Sequence, residues 1–112
     1  MDVELEYRGQ ELVAHLTGEI DHHTAAGVRA GIDGAAEARP PRLLRLDMGG
    51  VTFMDSSGVG LVMGRYRLMT GMGGRLVVSG AGERVQELMR LAGLDKLDIW
   101  EKGESNNASQ SK

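Results

Sequence analysis

Residue types that do chemistry gather at two places in this chain, Asp55-Ser56-Ser57-Gly58 and Asp21-His22-His23. In the first, two hydroxyls follow a carboxylate between a strand-like run and a helix-like run. A serine oxygen there lies at the positive end of a helix macrodipole, where unpaired backbone N–H groups can receive an anion, so it can carry a phosphate. The same tetrapeptide is also an ordinary helix start, with Asp55 or Ser56 as N-cap at about 1 kcal/mol. A Gly-x-Ser-x-Gly nucleophile elbow fails because Met54 stands where its first glycine belongs. A phosphate-cradling Gly-Lys-Ser/Thr loop is missing.

The second cluster admits two enzymatic readings. Adjacent histidines in an extended segment point to opposite sides, and His15 is the only other histidine, so a zinc site would have to recruit carboxylates. A small serine esterase would pair Ser56 with His22 or His23, but nothing in the spacing supplies the base-to-nucleophile geometry. Neither reading assigns a catalytic residue, a metal or a cofactor. The segment is instead expected to be a surface loop at the same sheet end as Ser56.

The elements that must hold these clusters are readable from periodicity. Val3, Leu5 and Tyr7 alternate with charged residues, Arg8-Gly9-Gln10 is a turn, and Leu12 to Thr17 is a second strand, which together predict a hairpin. Gly18 to Thr24 is read as a polar connection in which Asp21 or Thr24 caps a helix running to about Ala38. Ala25, Val28, Ile32 and Ala35 form its apolar face. Pro40-Pro41 ends that helix. Leu43 to Met48 is then a buried strand, broken by Gly49-Gly50, and Val51 to Met54 lead to the serines.

A helix from Ser57 to about Met72 follows, with Val59, Val62, Met63, Tyr66 and Met69 on one stripe. Leu61, Leu68 and Met72 lie elsewhere, leaving more apolar surface than one core contact needs. Gly58, Gly60 and Gly64 each weaken it by about 1 kcal/mol relative to alanine. They serve either close helix-sheet packing or the approach of another protein to the serines. Arg75 to Ser79 is a further strand, Val85 to Ala92 a further helix capped by Gly93, and Leu97, Ile99 and Trp100 a last edge strand. The sum is an α/β sandwich, an N-terminal β-hairpin followed by alternating helices and strands in a mixed sheet covered by helices.

Composition limits the rest. The 112 residues suit one domain, and a net charge of −3 with interspersed signs offers no basic stripe for direct contact with nucleic acid. The chain has no cysteine, which fits a reducing compartment. No stretch approaches the roughly 20 apolar residues that span a bilayer, and no leader pattern opens the chain, so a cytoplasmic protein without membrane contact is expected.

Val51 to Tyr66, VTFMDSSGVGLVMGRY, together with Leu16 to Thr24, LTGEIDHHT, resembles the STAS domain of anti-sigma factor antagonists. The likeness covers roughly residues 3 to 100, with both motifs in the expected order, so residues 1–102 are read as a STAS domain and 103–112 as a disordered polar tail. The resemblance implies a partner-switching protein. Its unphosphorylated form would bind an anti-sigma factor that is also a serine kinase and carries the nucleotide, releasing a sigma factor. Phosphorylation would end that binding, and a serine phosphatase would reset it. The family's acceptor is the first serine after the aspartate, here Ser56. The implied contact surface comprises Glu19, Asp21 and His22 beside Asp55, Ser56, Ser57, Gly58 and Gly60. A ligand-sensing STAS module is the other reading this likeness leaves open. The family usually ends in another amphipathic helix, which Glu101 to Lys112 cannot supply.

Overall fold

A computed structural model describes residues 1–101. Strands β1 (Asp2–Arg8) and β2 (Glu11–Ile20) form the expected antiparallel hairpin. Its short turn is closed by Gly9 at φ 62°, a left-handed conformation that costs glycine little. Helix α1 (Ala25–Ala38) leads to β3 (Leu43–Met54), helix α2 (Ser56–Gly71) to β4 (Arg75–Ser79), and helix α3 (Glu83–Leu91) to a 3-10 turn, Leu94–Lys96. The sheet order is β1-β2-β3-β4, antiparallel in the first pair and parallel in the other two. The architecture is therefore the mixed α/β sandwich expected from the sequence.

Alternation along the strands divides the sheet chemically. Leu12, Ala14 and Leu16 of β2, Leu44, Leu46 and Met48 of β3, and Leu76 and Val78 of β4 enter one core. Val28 and Ile32 of α1, Leu61, Val62 and Met69 of α2, and Val85 and Met89 of α3 close it. The opposite face is ionic. There His15 meets Asp47 and Glu6, and Arg45 meets Glu11 and Glu101. Val13 and Val77, which flank Arg45 in register, are nevertheless buried. Edge strand β1 is tied to the helical layer by the Tyr7 hydroxyl, 2.6 Å from the Ala35 carbonyl and 2.9 Å from that of Arg39.

Several sequence expectations need correction. Gly49-Gly50 does not break the strand: β3 runs unbroken for 12 residues. Gly50 is needed where β3 is bulged against β2, since a Cβ on it would stand 2.4 Å from Thr17 Cγ2 and 3.1 Å from the Leu16 carbonyl oxygen. Gly18, Glu19 and Ile20 belong to β2 rather than to a loop, because they go on pairing with Val51, Phe53 and Met54 of β3. On α1, Ala36 is buried and Ala35 only packs at the margin. On α2 the buried side consists of Gly58, Leu61, Val62, Arg65 and Met69, so that of the stripe led by Val59 only Val62 and Met69 are fully buried while Val59, Met63 and Tyr66 pack at the margin. The last edge strand is reduced to a parallel bridge between Val78 and Trp100. The tail expected at 103–112 lies outside the described residues.

Candidate functional site

The two chemistry-bearing segments are brought together by the parallel pairing of β2 and β3. Both strands end at the same sheet edge, where Ile20 pairs with Met54. One residue further, the Asp55 N–H donates to the Ile20 carbonyl at 3.1 Å. Loops leaving the carboxyl ends of adjacent parallel strands are where α/β sheets place their sites.

Asp55 is the N-cap of α2. Its extended backbone turns the chain, and its Oδ1 accepts from the Ser57 N–H at 2.8 Å. Ser56 is thereby the first helical residue and is exposed, whereas Ser57 is half-buried and faces a groove between α1 and α2. Gly58 is buried because Met54 lies over it: a Cβ there would stand 2.3 Å from Met54 Cγ and 2.7 Å from Sδ. Gly60 is the opposite case, exposed and with no neighbour within 4 Å of an added Cβ. Gly58 serves packing, while Gly60 leaves backbone uncovered next to the serines.

The facing loop is built around Asp21. Its Oδ1 accepts from the backbone N–H groups of His23 at 2.9 Å and Thr24 at 3.1 Å, and the hydrogen bond from His23 is the main cause of its lowered pKa. The Thr24 hydroxyl accepts from the Asp21 N–H at 3.0 Å and lies 3.0 Å from the Glu19 carbonyl oxygen, to which it can donate. Asp21 is half-buried at this rim and Glu19 is exposed. His22 and His23 do not diverge as an extended segment would make them. The chain turns here and stacks the exposed rings, with centroids 3.9 Å apart. His22 also borders the α1–α2 groove.

A hydrolytic triad needs an imidazole between the serine and a carboxylate. Asp21 Oδ1 is instead occupied by backbone N–H groups, and no hydrogen bond among the described residues joins Ser56 or Ser57 to a histidine ring. What the corner does present is one accessible hydroxyl at a helix start, next to Asp55 and at the sheet edge where β2 ends, with Glu19 on the strand and Asp21 just beyond it.

The STAS domain model matches residues 2–106. The chain belongs to the STAS-domain family. Among curated relatives of this STAS chain, the anti-sigma F factor antagonist of Paenibacillus polymyxa is 36% identical over 97 residues, covering 87% of this chain and 83% of that protein. The anti-sigma-B factor antagonist of Bacillus subtilis is 30% identical over 105 residues, covering 93% and 94%. The solved structure of the anti-sigma factor antagonist SpoIIAA in its unphosphorylated form superposes with a TM-score of 0.78 at 29% identity, over 96% of each chain. SpoIIAA in its phosphorylated form superposes with a TM-score of 0.71, over 96% of this chain and 97% of that one. Among the described residues of this STAS domain, no helix is long and apolar enough to cross a membrane.

One feature of the groove beside the serines escaped the sequence reading. Arg65 on α2 is buried, 2.9 Å from Asp33 of α1. It falls three residues after Val62 and four before Met69, on the buried stripe, so its spacing carried the signal although its type did not. Burial pushes its guanidinium pKa down, Asp33 opposes this, and the like charge of Arg29 adds to the depression. An arginine stays protonated even so, and the α1–α2 groove therefore carries fixed positive charge.

Proposed function

We propose that this chain is an anti-anti-sigma factor whose unphosphorylated form binds an anti-sigma factor serine kinase and is released by phosphorylation of Ser56. The single observation that carries the reading is the exposed Ser56 hydroxyl at the first position of α2, after Asp55 and at the sheet edge shared with the end of β2 that carries Glu19 and leads to Asp21. The relatives named as anti-sigma factor antagonists support the partner class.

The mechanism follows from charge. A phosphate on Ser56 would add about −1.5 to −2 charges and three acceptor oxygens. Within the domain the N–H groups of the first turn of α2 partly accommodate it, so little refolding is required. The solved phosphorylated and unphosphorylated forms of SpoIIAA, both sharing this fold, are consistent with that. At a docked surface the same dianion would be desolvated next to Asp55, on the sheet edge that also carries Glu19 and Asp21. A charge left unpaired in an interface costs several kcal/mol. A loss of about 3 to 4 kcal/mol weakens binding by a few hundredfold, enough for a switch without conformational change. A serine phosphatase would restore the binding form.

The test uses purified kinase, ATP and site mapping. Phosphate should appear on Ser56, Ser56→Ala should bind the kinase without being modified, and Ser56→Asp should bind poorly. Modification confined to Ser57 would remove the residue assignment, and equal binding by the two variants would reject charge as the switch.

A further inference from the structure

Beside the acidic rim, the groove between α1 and α2 has the opposite character. It encloses about 400 Å³, and its walls carry Arg29, Arg65 and His22 but no carboxylate. Asp33 accompanies Arg65 without lining the groove, and it is one carboxylate against two guanidiniums. Arg65 is only 6% exposed, and although its Nε lies 2.9 Å from Asp33 Oδ1, neither atom is aligned in a hydrogen bond. Asp33 offsets the charge of Arg65, and the second guanidinium, Arg29, leaves the groove with a net positive charge that no lining carboxylate balances. Ser57 borders the groove and the start of α2 adds partial positive charge at the same end.

The groove is also kept open. Gly60 and Gly64 line it, and an added Cβ on either would meet nothing within 4 Å. Alanine would fit and strengthen the helix, so no internal packing requires these glycines. Bare backbone beside two fixed cations is a surface shaped for an incoming acidic group.

Resting on the partner reading above, we infer that the α1–α2 groove receives a glutamate or aspartate side chain of the anti-sigma factor. It is a second anchor, opposite in sign to the Glu19, Asp21 and Asp55 rim. A docking face with a negative and a positive half admits a partner in one orientation only, since the reversed approach sets like charges together. Arginine also offers a carboxylate a planar pair of donors, which fixes geometry as well as charge.

The experiment measures the affinity of purified anti-sigma factor kinase for the intact wild-type chain and for Arg29→Glu, Arg29→Lys, Gly64→Leu and Ser56→Asp, with thermal unfolding of each. Arg29→Glu should weaken binding more than tenfold and flatten its salt dependence, with Arg29→Lys much less affected. Gly64→Leu, which fills the groove without changing charge, should weaken binding while unfolding at or above the wild-type temperature. Wild-type affinity in both Arg29→Glu and Gly64→Leu, with Ser56→Asp still impaired, overturns this inference and leaves the partner reading standing. Failure of the wild-type chain to bind overturns both. The chain's own phosphate is the rival occupant: if Gly64→Leu, which changes no charge, shifts the phosphorus NMR titration of phosphorylated Ser56, the groove holds that group and the partner carboxylate is refuted.

Discussion

Replacing Gly58 with alanine should destabilise the domain, although alanine is the better helix former. Gly58 is the third residue of α2, near the helix end, so the propensity gain is below the roughly 1 kcal/mol of a mid-helix site. Against it stands Met54, 8% exposed, whose Cγ, Sδ and Cε would lie 2.3, 2.7 and 3.0 Å from the new Cβ. Since Cγ is the nearest atom, moving only the tip of the side chain does not relieve the overlap. Met54 must leave its rotamer, at about 0.5 to 1.5 kcal/mol, or give up part of a burial of about 1.5 to 3 kcal/mol. The net expectation is a loss of about 1 to 2 kcal/mol. Urea unfolding should show a lower midpoint with unchanged slope, and the unfolding temperature should fall by about 5 to 10 °C for a domain of this size. Gly60→Ala, two residues on and in open space, is the control and should unfold at a higher midpoint than wild type. A Gly58→Ala protein as stable as wild type would refute the packing argument.

Asp55→Ala removes the carboxylate that accepts from the Ser57 N–H and should cost about 1 kcal/mol in urea unfolding, with Asp55→Asn much less affected. On the ionic sheet face both ring nitrogens of His15 meet carboxylates, Nε2 at 2.9 Å from Glu6 and Nδ1 at 2.7 Å from Asp47, which only the imidazolium satisfies as a double donor. The His15 pKa is raised above 6.5, first by Glu6 and then by Asp47, while Glu6 is held down at about 2 by Arg8 and His15. The stabilisation from His15 is thus complete below about pH 6.5 and is lost as pH climbs through the raised folded value. In an NMR titration the His15 midpoint should exceed 6.5 and fall in Glu6→Gln; an unshifted midpoint would refute the clamp.

Where a local signal and the tertiary structure agree, the sequence was a sufficient guide. The hairpin, α1, β4 and α3 announced themselves through period and punctuation, and Asp55-Ser56-Ser57-Gly58 read correctly as a strand-to-helix corner. Gly49-Gly50 misled because glycine marks a break in one context and a close approach of neighbouring strands in another. Only Thr17, more than thirty residues earlier in the chain, decides which. Arg65 was passed over because a stripe built from apolar types omits a buried cation, and its counter-ion lies on another helix. The form of the Asp21 loop was not legible, since the bonding that turns Asp21 onto His23 and Thr24 is a property of the folded loop.

The backbone bond from Asp55 to Ile20 has a consequence for how such a surface can diversify. It couples the β2–α1 and β3–α2 connections as one cassette, so a change that re-aims either is felt by the other. Transplanting recognition from one relative to another would require grafting both segments together, and a chimera carrying only one would inherit a mismatched seam.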